Sequence, residues 1–138
     1  EAPSPETEVR SPEAAPTRQT PESGGFRPEC IDTVGLRSQL EPMLAERDVR
    51  QIFLRSLEQD RDALRAQLAA PTPVGLGKWC HRAGGAISVM EQPYLHELLD
   101  RLDGLLETGS PAQIQSAGAS LSAMYDYLID WLEKLDVA

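Results

Sequence analysis

Long apolar runs, aromatic side chains and basic charge are all scarce in this chain, and each scarcity removes a class of protein. No stretch of about 18 apolar residues occurs, so no segment is expected to span a bilayer. Lys and Arg number 13 against 22 Asp and Glu, a formal net charge of −9. Phosphate neutralisation needs clustered basic side chains, so nucleic acid and an anionic membrane surface are both unsuited as partners. Aromatic residues make up 5% of the 138 positions while hydrophobic residues reach 41%, which implies a core built mostly from aliphatic side chains. Two cysteines, Cys30 and Cys80, and two histidines, His81 and His96, stand in no metal-ligand spacing, so no metal site is expected. The cysteines are expected as buried thiols, with one disulfide in an oxidising compartment as the alternative. No signal peptide is visible, and the chain opens on Glu1 without a methionine, the pattern of a piece excised from a longer polypeptide.

What is present divides in two. Residues 1–28 hold six of the eleven prolines and a single aromatic. Proline fixes an extended backbone and removes donors, and Glu, Ser and Thr add no core, so this stretch reads as a Pro-rich flexible linker. A short docking segment is the alternative. Residues 29–138 read as one helical domain. A short helix is expected over 31–41, with Asp32 as N-cap and Pro42 limiting it. A long amphipathic helix follows from about Met43 to Ala69, with Val49, Ile52, Phe53, Leu57, Leu64 and Leu68 on its apolar face. Thr72 and Pro73 have the form of an N-cap and first helical residue. From Pro93 the leucines at 95, 98, 99, 102, 105 and 106 form one stripe that Gly109 ends. Ser110-Pro111-Ala112-Gln113 has the form of a capping box ahead of the last helix. No segment alternates with period two. The fold class is therefore all-α, an antiparallel four-helix bundle with a short additional N-terminal helix.

The helix near Lys78–Met90 poses a physical question. Leu76, Cys80, Ala83, Ile87 and Met90 make its core seam, and His81 lies about 100° from that seam. The neighbours of His81 at i−4, i+3, i+4 and i+7 are Gly77, Gly84, Gly85 and Ser88. Interior glycines cost about 1 kcal/mol each relative to alanine. Three on one face therefore spend on the order of 3 kcal/mol of a stability of about 5–15 kcal/mol. One explanation is an accessible imidazole with room for a reacting group beside it. The other is a glycine face that lets a neighbouring helix approach. His96, among Glu97, Asp100 and Arg101, reads as a plain surface residue.

The text around His81 resembles the histidine-containing phosphotransfer (HPt) family, whose motif has the form H-x-x-[K/x]-G-[S/A]. Here it reads His81-Arg82-Ala83-Gly84-Gly85-Ala86, and the likeness extends over about residues 31–135. It is nearest in kind to the C-terminal HPt domains of BvgS/EvgS-type hybrid sensor histidine kinases, where a Pro-rich linker follows a receiver domain. The resemblance implies a phosphorelay intermediate with His81 as the phosphorylated nucleophile, through Nε2. It implies docking access over Gly77, Gly84, Gly85 and Ser88. The implied partners are a receiver domain of the same kinase and a response regulator, with Mg²⁺ on the receiver and no cofactor on this domain. It further implies a cytoplasmic location at the end of an inner-membrane sensor, and a role of the virulence-regulation kind. Two positions depart from the family. Gly84 stands where many members carry lysine, and Met90-Glu91 stands where a glycine is common. Lys78 and Arg82 are the candidates for the missing positive charge. No P-loop, nucleotide-binding glycine loop or Mg²⁺ carboxylate cluster is legible, so the domain is not expected to bind ATP. A non-catalytic helical interaction module is the alternative function, and a Cys80–His81 thiol catalyst a weak third.

Overall fold

A computed structural model describes residues 25–135, and those residues contain helices and no strand. After a single 3₁₀ turn at Pro28–Cys30, five helices follow: α1 (Thr33–Leu44), α2 (Arg47–Ala69), α3 (Pro73–Met90), α4 (Pro93–Thr108) and α5 (Pro111–Lys134). The four long helices close a ring, α2 on α3, α3 on α4, α4 on α5 and α5 on α2, with α1 packed on α2 and α3. The chain is a helical bundle, and no helix among the described residues is long and apolar enough to cross a membrane.

Local chemistry sets the helix starts. Asp32 and Thr72 accept hydrogen bonds from the N–H groups of Gly35 and Gly75 at 2.9 and 3.0 Å. At α5 the capping box is complete. Gln113 N–H donates to Ser110 Oγ at 3.1 Å, while Ser110 N–H donates to Gln113 Oε1 at 2.8 Å. Proline opens α3, α4 and α5, where its missing donor would have had no partner in any case.

The structure departs from the sequence reading at the α1–α2 corner. Pro42 does not stop α1, which continues to Leu44. Leu36, Leu40 and Leu44 recur every four residues and all are buried, so burial outweighs one lost hydrogen bond at an exposed edge. Val49 and Ile52, expected in the core, are 41% and 68% exposed, because only Phe53, Leu57, Asp60 and Leu64 of α2 are buried in the bundle.

The domain's N-terminal edge is clasped to the α3–α4 turn. The buried Gln92 side chain accepts from Asp32 N–H at 3.0 Å and donates to the Asp32 carbonyl at 3.1 Å. Phe26 stacks on Tyr94 and tilts against Tyr127, with ring centroids 6.1 and 5.7 Å apart. Arg27 N–H donates to Tyr94 Oη at 2.7 Å. Packing thus reaches Phe26, ahead of the boundary expected at residue 29; the linker reading of residues 1–24 lies outside the described residues.

Candidate functional site

The rotation of α3 is fixed from behind. Leu76, Cys80, Ala83, Ile87 and Met90 are all buried, as their spacing requires. Trp79, which periodicity alone did not single out, adds the decisive anchor. It is 1% exposed, its Nε1–H donates to the Asp60 carbonyl oxygen at 2.9 Å, and its ring meets Tyr125 edge-on with centroids 6.0 Å apart. Trp79 precedes His81 by two residues, or about 200° of helix, so burying the indole turns the imidazole outward. His81 is exposed, in the middle of a helix whose opposite side is locked.

The glycines around it are not demanded by packing. A Cβ placed on Gly85 would meet nothing within 4 Å; on Gly84 it would rest 3.7 Å from Leu99 Cδ2, and on Gly77 3.9 Å from Leu106 Cδ1. These are ordinary contact distances. Gly118 on α5 shows the opposite situation, since a Cβ there would stand 2.5 Å from Leu68 Cδ2. Close helix approach thus explains Gly118 and does not explain Gly77, Gly84 or Gly85.

His81 stands on a ridge between two depressions. On the α4 side lies a groove of about 460 Å³ lined by Gly77, Cys80, His81, Gly84, Ser88, His96, Leu99, Asp100 and Asp103. A water occupies about 30 Å³ of liquid, so a phosphoryl group has ample room. The groove corrects the sequence reading of His96, which is half-buried and shares this hollow with His81. On the α2 side lies an apolar trough formed by Met43, Val49, Ile52, Phe53, Ser56, Gly85, Ala86 and Val89. Gly85 belongs to this trough, so the four small residues do not line one depression: Gly77, Gly84 and Ser88 face α4, and Gly85 faces α2.

The basic candidates separate too. Arg82 reaches toward the Asp60 carboxylate of α2, 3.9 Å away. Burial pushes the Asp60 carboxyl above the usual carboxylate range, and Arg82 partly offsets that. Lys78 is exposed and has no ion-pair partner among the described residues. Cys80 is a free buried thiol, pushed up to about 12 by burial and then by the charges of Asp103 and Asp100. Such a thiol is not a nucleophile at neutral pH, which removes the Cys80–His81 catalyst. Cys30 is also free but only half-buried, where a buried thiol was expected. Among the described residues no group of three or more His, Cys, Asp or Glu side chains is arranged to hold a metal ion.

No family model matches the chain, and no curated protein or solved structure matches it.

Proposed function

We propose that this chain is an HPt-type phosphocarrier in a multistep phosphorelay, in which His81 takes a phosphoryl group from a receiver aspartate and passes it to a response-regulator aspartate. One observation carries the reading: an exposed mid-helix imidazole flanked by glycines whose missing side chains no neighbour requires. Cleared space that packing does not use is space for a reacting partner.

The chemistry asks little of this domain. The His81 Nε2 lone pair attacks the phosphorus of an aspartyl phosphate, the N–P bond forms, and the P–O bond breaks as the aspartate leaves as a carboxylate. The ring keeps its Nδ1 proton, and the second transfer reverses these events on a new carboxylate. A loose transition state needs in-line approach and neutralised oxygens. The receiver brings the Mg²⁺ and the acidic pocket, and this domain brings a nucleophile on a rigid helix. The receiver's apolar surface docks over the trough at Ile52, Val89 and Gly85. Lys78, rather than the Asp60-directed Arg82, neutralises phosphoryl oxygens from this side. The domain works in the cytoplasm as part of a hybrid sensor kinase.

The apolar trough also favours a second reading, a helical module that binds a partner without chemistry. Incubation with a panel of phosphorylated receiver domains separates the two. An acid-labile, alkali-stable label on wild type, lost in His81→Gln, supports the carrier; binding without label supports the module. Lys78→Ala with unchanged transfer rate and phosphohistidine lifetime would remove Lys78 from the mechanism.

A further inference from the structure

The groove on the α4 side carries charge of the wrong sign for storing phosphate. Asp100 and Asp103 line it together with His81, and no Lys or Arg side chain is among its lining residues. The two carboxylates stand at the exposed rim of the groove, on its lining. Cys80, on the same lining, has its thiol raised by burial first and by Asp103 and Asp100 next. His96 is the one side chain there, besides His81 itself, that can carry positive charge.

We propose that Asp100 and Asp103 make phosphorylated His81 a short-lived, strongly donating intermediate by placing two negative charges beside the phosphoryl group. This rests on the phosphocarrier reading and adds what governs the direction of flow. Phosphorylation lowers the charge at His81 by at least one unit, since the phosphoryl group brings two negative charges and the ring retains at most one positive one. Repulsion from the two carboxylates disfavours the loaded state. That repulsion drives phosphate off His81 onto an acceptor. Lys78 aids capture; the acidic groove promotes release.

The test uses the full chain with phosphoramidate as a small-molecule donor. The Nε2 lone pair attacks phosphorus, the new N–P bond forms, and the old one breaks to release ammonia. Decay of the phosphohistidine signal is followed by ³¹P NMR, with the labelled residue mapped by mass spectrometry. Wild type is compared with an Asp100→Asn/Asp103→Asn double variant, and a Glu29→Gln/Glu133→Gln double variant controls for the same change of net charge outside the groove. The double variant is expected to hold its label on the order of threefold longer at low salt. The difference should vanish near 1 M salt, where screening acts within about 3 Å. Equal lifetimes at low salt, a difference that survives high salt, or the same gain in the Glu29→Gln/Glu133→Gln control would overturn the inference while leaving the carrier reading intact. A wild-type protein that takes no label, or takes it only on His96, would overturn both.

Discussion

Replacing Gly84 and Gly85 by alanine is expected to make the protein more stable, although both lie beside the His81 side chain. Alanine in a helix interior is favoured over glycine by about 0.8–1.0 kcal/mol when nothing obstructs the methyl group. At Gly85 nothing lies within 4 Å of the new Cβ, and at Gly84 it gains a contact with Leu99 at 3.7 Å. The double variant should therefore gain about 2 kcal/mol. For a domain of this size that is roughly 8 °C in Tm. Gly118→Ala supplies the contrast, since its methyl group would stand 2.5 Å from Leu68. It should fall below Gly85→Ala in stability by about 1 kcal/mol or more as the Leu68 side chain is displaced. Thermal and urea melts followed by circular dichroism read all three. A destabilised Gly85→Ala would refute the reasoning, because it would mean that another surface covers that face. Gly85→Leu completes the set: the fold should survive while phosphoryl transfer is blocked, the side chain filling the space beside the ring.

Three further expectations concern the buried polar groups behind the site. The Asp60 carboxyl is raised above its ordinary value by burial, so stability present below the ordinary carboxylate pKa is lost as pH climbs through the raised value. Asp60→Asn should consequently stabilise the protein at pH 7 by about 1 kcal/mol and not at pH 3, with urea midpoints across that range as the check; a pH-independent difference would contradict it. Tyr125 Oη is buried without a hydrogen-bond partner among the described residues, so Tyr125→Phe should gain about 1 kcal/mol, and a comparable loss would reveal a partner. Cys80, with its thiol pushed up to about 12, should react with a maleimide at pH 8 on the order of 100-fold more slowly than the half-buried Cys30 until the chain is unfolded; equal rates would place Cys80 at the surface.

The elements that were legible in sequence are those decided by neighbours in the chain. Asp32, Thr72 and the Ser110–Gln113 pair act over three residues, and the leucine stripe of α4 is a local period, so both could be read from the letters. The α3 seam was legible for the same reason, and with it the direction of His81. The rest depends on which helix lies across the way. Whether Val49 and Ile52 are covered depends on where α3 and α1 end. Whether His96 is plain surface depends on α3 lying beside α4 with glycines between. The pairing of Trp79 with the Asp60 carbonyl joins two helices nineteen positions apart, and no local pattern announces it. Pro42 misled because a proline near the last turn of a helix removes a bond that solvent readily replaces.

Glu91 lies in the left-handed region with φ of 50°. It ends α3 at a position where helices commonly place glycine, so this backbone tolerates a carboxylate in a conformation that side chains resist by about 1 kcal/mol.

The clasp between Gln92 and Asp32 fixes an exit point. Ten residues separate His81 from Glu91, and at 1.5 Å of rise each that is roughly 15 Å along the axis of α3. The described chain therefore enters the bundle at that corner, near the same end of α3. A neighbour carried on the same polypeptide would meet the ring at a concentration set by its leash, and a free one only at its abundance in solution.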